Sequence, residues 1–309
     1  MTDEDRRPLL VVENLKQYFP IPGGNVVKAV DDISFDIMPG ETFGLVGESG
    51  SGKSTTGRAV IRLDDLTAGR ITFDGDDISQ KLTTEIEQRL RTNMAMVFQD
   101  PMASLNPYRK VVDTIATGLD AHFPRMDREE RKEKVYEMMD RVGLSRSQAN
   151  RFPSQFSGGQ RQRVGLARAL IMRPKLVIAD EAISALDVSI QAQVVNLMKD
   201  IQDEMGTAYL FIAHDLSMVR YISNRIAVMH LGHIVEAGLT DEIFANPVHP
   251  YTKSLISAIP RFNPETERDR KPLVYDAKEL GISYDEGRIH HLSDSHYVLA
   301  TDEELVSWN

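Results

Sequence analysis

Residues 47–54 read GESGSGKS and have the spacing of a phosphate-binding loop. The pattern G-x-x-x-x-G-K-S follows an apolar run and precedes an amphipathic segment, which is the strand–loop–helix context that such a loop requires. Glycines let backbone N–H groups turn inward around phosphate oxygens, and the following helix adds the positive end of its dipole. Lys53 could then reach the β- and γ-phosphates of a nucleotide, and the Ser54 hydroxyl could ligate Mg²⁺. The residues that we assign to this site are Gly47, Glu48, Ser49, Gly50, Ser51, Gly52, Lys53, Ser54 and Thr55.

A second motif, LVIADE at residues 176–181, is an apolar strand that ends in two carboxylates. Ligands of parallel sheets bind beyond the carboxyl ends of the strands. Asp180 is therefore placed to hold Mg²⁺, directly or through water. Consecutive side chains point different ways, so Glu181 could contact a water aimed at the γ-phosphorus. The motif is weakly specific alone and gains its meaning from the phosphate loop.

Composition excludes several classes of protein. The chain has 309 residues and a net charge of −10, which opposes a nucleic-acid binder because such proteins need a basic face. It has no cysteine, which excludes disulfides, thiolate metal sites and iron–sulfur clusters and fits a reducing cytoplasm. No apolar run reaches the length of a membrane span, and we expect no secretory signal at the N-terminus.

Hydrophobic periodicity predicts an α/β fold with several parts. Residues 9–40 alternate apolar and polar, which indicates antiparallel strands. Short apolar strands at 94–98, 176–179 and 209–213, separated by helices, indicate a parallel sheet covered on both faces. The stretch from about 101 to 170 is mostly helical in its pattern. We therefore predict a nucleotide-binding domain at 1–262, with that stretch as a helical subdomain, and a polar C-terminal extension at 263–309.

The segment FSGGQRQRV, residues 156–164, resembles the signature sequence of ATP-binding cassette (ABC) ATPases, with Phe156 where leucine is more usual. Other motifs of that family follow in the expected order. Gln99 opens QDPMASLNP, like the Q-loop, Asp187 closes SALD, like the D-loop, and His214 closes the strand YLFIAH, like the switch histidine. Ala182 departs from the pattern, because proline often follows the acidic pair. The resemblance spans about residues 9–260 and implies the P-loop NTPase fold of an ABC-type nucleotide-binding domain, with a mixed-sheet core, an antiparallel β subdomain and a helical subdomain.

The resemblance also implies roles for single residues. Phe19 would stack on adenine, with Tyr18 as the alternative, and the signature of one subunit would close on the γ-phosphate held by another. The implied catalytic residues are Lys53, Gln99, Glu181 and His214. The implied metal ligands are Ser54, Gln99 and Asp180. The nucleotide contacts implied outside the loop are Phe19, Gln99, Ser157, Gly158, Gly159, Gln160 and Asp187.

Residues 244–260, FANPVHPYTKSLISAIP, resemble the C-terminal motif of oligopeptide and dipeptide permease ATP-binding subunits. This resemblance implies an ATP- and Mg²⁺-dependent ATPase that powers a membrane importer from the cytoplasmic face of the membrane. The implied partners are a second ABC ATPase, favouring a heterodimer, two transmembrane permease subunits and, indirectly, an extracytoplasmic peptide-binding protein. Many relatives carry a cysteine cluster after this motif, and the absence of cysteine here excludes an iron–sulfur centre.

Other functions share this cassette. An ABC ATPase that acts on DNA or ribosomes usually has two cassettes or a long coiled coil with a basic face, and this acidic chain has neither. A carbon–phosphorus lyase accessory ATPase and a nickel importer remain open as alternatives. Association with an integral membrane partner would separate a transport motor from a soluble assembly.

Overall fold

The computed structural model describes residues 7–99, 104–184, 186–260, 273–277 and 280–308. Its strands are β1 Leu10–Pro20, β2 Val26–Ile37, β3 Thr42–Val46, β4 Ala68–Phe73, β5 Asp76–Asp77, β6 Met94–Val97, β7 Leu176–Asp180, β8 Ala208–Ala213, β9 Arg225–His230, β10 His233–Leu239, β11 Arg288–His291 and β12 Tyr297–Ala300. Its α-helices are α1 Lys53–Val60, α2 Thr84–Asn93, α3 Val111–Ile115, α4 Thr117–His122, α5 Arg128–Arg141, α6 Gly158–Leu170, α7 Val188–Met205, α8 Leu216–Ile222, α9 Thr240–Ala245, α10 Pro250–Ser257 and α11 Asp302–Trp308.

The larger sheet places the phosphate loop and the acidic strand side by side. Within the described ranges it has eight strands in the order β11-β12-β10-β9-β3-β8-β7-β6. Strands β9, β3, β8, β7 and β6 are parallel to one another, and every residue of β3, β7 and β8 is buried. Strands buried on both faces need continuous apolar sequence, so the predicted parallel sheet is confirmed.

A smaller antiparallel sheet, β2-β1-β4-β5, shares an apolar core with one face of the larger one. The Phe35 ring of β2 stacks on the Phe43 ring of β3 at 5.2 Å between centroids. Arg225 of β9 donates to the carboxylates of Asp36 and Glu41, at 3.0 Å and 2.6 Å. The antiparallel strands predicted for residues 9–40 are confirmed, and they bring β2 close to the phosphate loop.

Helices α3 to α6 form a layer that continues the apolar core beside β6 and β7. Helix α5 buries Val135, Met138 and Met139. It packs against α6, whose buried face includes Val164 and Leu170. The predominantly helical character of the 101–170 stretch is confirmed for its described residues. No helix in the described ranges has the length and hydropathy needed to span a bilayer.

The C-terminal segment joins the larger sheet, because β12 pairs antiparallel with β10 and β11 pairs with β12. Glu236 of β10 is fully buried at this junction. Its carboxylate accepts the N–H groups of Val248 and His249, at 2.8 Å and 3.1 Å, and lies 2.8 Å from the ring nitrogen Nε2 of His296. One buried carboxylate thus fixes the tail strand and the turn before α10.

Replacement of Glu236 by alanine should lower the free energy of unfolding by roughly 3–5 kcal/mol, because it leaves two backbone donors and a histidine buried without their acceptor. Urea unfolding followed by circular dichroism measures the change. Glu303→Ala, in the exposed first turn of α11, is the control and should stay within about 0.5 kcal/mol of the wild type. Equal midpoints for Glu236→Ala and the control would contradict this account.

Candidate functional site

The phosphate loop connects β3 to α1 and packs closely against the backbone of β2 and of β9. Gly47 has φ 155° and Gly52 has φ 106°. A Cβ at Gly47 would lie 2.1 Å from the carbonyl oxygen of Met229, and one at Gly52 would lie 2.2 Å from that of Ala29. Both positions therefore require glycine, for space as well as for backbone conformation.

The ammonium group of Lys53 points into the loop. Lys53 is 4% exposed, and its Nζ donates to the carbonyl oxygen of Glu48 at 2.7 Å and to Ser51 Oγ at 3.3 Å. Burial lowers the pKa of Lys53, while the carboxylates of Glu181 and Asp180 act in the opposite direction. A buried cation that donates to these two neutral oxygens is well placed to exchange them for phosphate oxygens.

Ser54 and Asp180 form a pair of oxygen ligands. Ser54 Oγ donates to Asp180 Oδ1 at 2.7 Å, and Asp180 is 5% exposed. Burial raises the pKa of Asp180, and the hydrogen bond from Ser54 lowers it. A hydroxyl beside a buried carboxylate is the kind of oxygen donor set that Mg²⁺ prefers, so these residues fit a magnesium ion.

Glu181 turns away from Asp180 because its backbone enters the left-handed region, with φ 45°. Its N–H donates to the carbonyl oxygen of Ile212 in β8 at 2.9 Å. Gln99 Nε2 donates to Glu181 Oε2 at 2.6 Å, and His214 Nδ1 lies 3.8 Å from Glu181 Oε1. Such a backbone conformation costs energy for a residue with a side chain, and strain of this kind clusters at functional sites.

Gln99, Glu181 and His214 come from distant parts of the chain and therefore lie together beside the Ser54–Asp180 pair. The arrangement offers a carboxylate acceptor, an amide and an imidazole around a space next to the phosphate loop. Chemically, such a group can orient a water molecule and accept its proton.

A cavity of about 620 Å³ opens beside this cluster, between the core and the helical layer. Ser54, Gln99 and Asp180 line one side, and Gly118 and Met172 line the other. Gln99 thus borders both the carboxylate cluster and the helical layer.

The signature residues lie at the start of α6. The side chain of Ser157 accepts the N–H of Gln160 at 3.3 Å, and the side chain of Gln160 accepts the N–H of Ser157 at 3.0 Å. This reciprocal capping fixes the first turn, whose N–H groups have no partners within the helix. A Cβ at Gly159 would lie 2.6 Å from the side chain of Ile190, so the signature packs against the segment that begins at Asp187.

Of the two aromatic residues predicted to meet adenine, Phe19 is the better placed. Tyr18 donates its hydroxyl to the carboxylate of Asp31 and is only partly exposed. Phe19, the next residue of β1, is 38% exposed. The Phe19 ring is free to offer its face to a planar ligand, whereas Tyr18 is held by its hydroxyl.

Comparison with known proteins agrees with these motifs. The profile described as "ABC transporter" matches residues 30–184, half of the chain. This chain belongs to the ABC transporter family. A second profile, "Oligopeptide/dipeptide transporter, C-terminal region", matches residues 235–281. As a member of the family, the chain carries an ATP-hydrolysing cassette.

Similar ABC transporter proteins cover nearly the whole chain. The oligopeptide transport ATP-binding protein OppF of Bacillus subtilis is 52% identical over 97% of this chain and 99% of its own length. OppF of Streptococcus mutans is 52% identical over 99% of this chain and 98% of its own length. The dipeptide transport ATP-binding protein DppF of Lactococcus lactis is 49% identical over 96% of both chains.

Solved ABC structures share the fold. The ATP-binding cassette MJ0796, in a dimeric post-hydrolysis state bound to ADP and Pi, has a TM-score of 0.68 and 28% identity over 75% of this chain and 98% of its own. Clostridium perfringens cbiO1, part of the ABC transporter complex cbiONQ, has the same TM-score and identity over 77% of this chain and 91% of its own. The predicted ABC-type fold is confirmed.

Replacement of Lys53 by alanine should weaken ATP binding at least tenfold, because it removes the buried cation that faces the phosphates. Isothermal titration calorimetry on the full chain measures the dissociation constant. Lys81→Ala, at an exposed lysine outside the loop, is the matched control and should bind ATP as the wild type does. Unchanged affinity in Lys53→Ala would count against the phosphate-loop assignment.

Proposed function

We propose that this chain is the ATP-hydrolysing subunit of a membrane ABC importer for oligopeptides or dipeptides. The observation that carries the chemistry is the meeting of Gln99, Glu181 and His214 beside the Ser54–Asp180 pair. The substrate class rests on relatives about half identical over almost their entire length, which are named for oligopeptide or dipeptide transport.

In this proposal, the chain binds the nucleotide at both its adenine ring and its phosphates. Phe19 stacks on adenine, and the loop at 47–55 wraps the phosphates with its N–H groups. Lys53 leaves the carbonyl of Glu48 and neutralises charge on the β- and γ-phosphates. Ser54 and Asp180, with Gln99, would hold Mg²⁺, which would neutralise charge on the phosphate oxygens.

Hydrolysis depends on the placement of one water molecule. Glu181 accepts its proton or orients it, and His214 contacts the γ-phosphate and positions the water together with Glu181. Gln99 contacts the attacking water or would contact Mg²⁺. Catalysis of phosphoryl transfer is mostly positioning and charge stabilisation, so the fixed backbone turn at Glu181 has a direct effect on rate.

A second ABC ATPase completes the site. Ser157, Gly158, Gly159 and Gln160 open a helix, and a helix N-terminus binds anions. In the proposal, this surface and the adjoining Asp187 close on the γ-phosphate held by the other subunit, so that ATP joins the two cassettes and its hydrolysis releases them. We favour a heterodimer with a sister cassette.

The permease, with its two transmembrane subunits, docks on the helical region around residues 101–150, beside Gln99, in the helical subdomain of the 1–262 nucleotide-binding domain. Because Gln99 touches Glu181, movement of the docked subunits reaches the catalytic carboxylate through a single side chain. The chain is thereby a peripheral protein at the cytoplasmic face of the membrane. An extracytoplasmic peptide-binding protein acts on it only through the permease, and residues 263–309 form its C-terminal extension.

Glu181→Gln should keep ATP affinity and lose about 10²–10⁴-fold in turnover, because it removes the base but preserves the shape of the site. Steady-state phosphate release by the assembled transporter measures turnover, and calorimetry on the isolated chain measures binding. Glu85→Gln, in the exposed first turn of α2, makes the same chemical change away from the site and should be silent. Hydrolysis near the wild-type rate would remove Glu181 from this role.

Affinity purification of the native complex in detergent should recover two integral membrane subunits and a second ABC ATPase. Mass spectrometry identifies each component. A peptide-binding protein recovered with the complex when peptide is present would support the substrate class. Recovery of a soluble assembly without membrane subunits would instead favour a carbon–phosphorus lyase accessory role, and a nickel-binding component would favour a nickel importer.

A further inference from the structure

One contact to the phosphate loop comes from a residue that no nucleotide-binding motif includes. The backbone N–H of Glu48 donates to the hydroxyl oxygen of Tyr251 at 2.8 Å, although the two residues are 203 positions apart. Tyr251 is in the first turn of α10 and is 1% exposed. The hydroxyl of a buried tyrosine is thus hydrogen-bonded to the backbone of the loop.

Glu48 is a pivotal residue of the loop, because its carbonyl oxygen is the acceptor for Lys53. The loop is held at a second point, where the N–H of Gly232 donates to the carbonyl oxygen of Ser51 at 2.9 Å. The residues that make these two hydrogen bonds, Gly232 and Tyr251, lie between the end of β9 and the first turn of α10. These two hydrogen bonds fix Glu48 and Ser51, the residues whose oxygens accept from Lys53 in this structure.

The ring of Tyr251 has little freedom to move. Its centroid lies 4.3 Å from that of His230 and 5.2 Å from that of Tyr275. The Tyr284 hydroxyl lies 2.5 Å from His230 Nδ1 and 2.9 Å from the Tyr275 hydroxyl. The N–H of Tyr251 itself donates to His249 Nδ1 at 3.1 Å. Groups on β9, on α10 and in the C-terminal segment therefore fix the position of the hydroxyl.

We propose that Tyr251 is a positioning residue for ATP binding, whose hydroxyl holds the Glu48 N–H and so keeps the phosphate loop in its binding conformation before the nucleotide arrives. A loop that is preformed does not lose its conformational freedom on binding, so affinity is gained without a contact between Tyr251 and the ligand. This inference rests on the proposed nucleotide-binding role of the loop.

The test is the dissociation constant for Mg-ATP of the full chain with Tyr251→Phe, measured by calorimetry in a Glu181→Gln background that suppresses hydrolysis. Phenylalanine keeps the ring and removes only the acceptor of the Glu48 N–H. We expect affinity to fall about 2- to 12-fold, the range that corresponds to the loss of one typical hydrogen bond.

Tyr209→Phe in the same background is the matched control. Tyr209 lies in β8 and is fully buried, and its hydroxyl has no hydrogen-bond partner within the part of the chain that the structure describes. Both variants lose a tyrosine hydroxyl oxygen, but only the hydroxyl of Tyr251 contacts the phosphate loop. Tyr209→Phe should bind Mg-ATP as the parent does.

Urea unfolding without nucleotide separates positioning from general stability. A Kd measured on a largely folded population does not change when global stability falls, so a purely structural role would lower the midpoint and leave affinity intact. Weaker binding in Tyr251→Phe alone supports the proposal, and parental affinity in Tyr251→Phe overturns it. If the parent itself fails to bind ATP, the proposed function fails, and the result is distinguishable from failure of this inference alone.

Discussion

The structure depends on the close approach of three backbone segments around the phosphate loop. The loop passes between Ala29 of β2 and Met229 of β9 with no room for a Cβ at Gly47 or Gly52. This contact requires β2 of the antiparallel sheet and β9 of the larger sheet to lie at a fixed distance from each other. A shorter distance would compress the loop between them, and a longer one would leave it without these contacts. The packing of the two sheets is therefore part of the nucleotide site, and core residues far from any phosphate determine its shape.

A second constraint directs the adjacent carboxylates of Asp180 and Glu181 toward different partners. Asp180 ends β7 in extended backbone and faces Ser54, whereas the left-handed turn at Glu181 directs the next side chain toward Gln99 and His214. Alternation along a strand would separate the two side chains in any case. The turn does more, because it anchors the Glu181 N–H on Ile212 of β8, the strand that ends one residue before His214.

The sequence predicted the parts of the fold that follow from local pattern. Continuous apolar strands predicted the parallel sheet, alternation predicted β1 and β2, and the family resemblance implied that Gln99, Glu181 and His214 share a site. It did not predict the contact between Tyr251 and Glu48, because a single tyrosine in a helix carries no local signal for a partner far away along the chain. The tail strands β11 and β12 were missed for a related reason. Their residues alternate over only four positions each, and their pairing depends on the buried Glu236, whose partners come from distant segments.

The pairing of β12 with β10 also bears on how the chain behaves among its own copies. A strand at the border of a sheet exposes unpaired N–H and C=O groups that another chain can extend. Here β12 pairs with Glu236 and Ala237 of β10, and the border passes to β11, a strand of four residues with the sequence RIHH. A short strand that carries an arginine and two histidines is a poor template for further pairing. The C-terminal segment therefore makes this border of the sheet a poorer site for pairing with another chain.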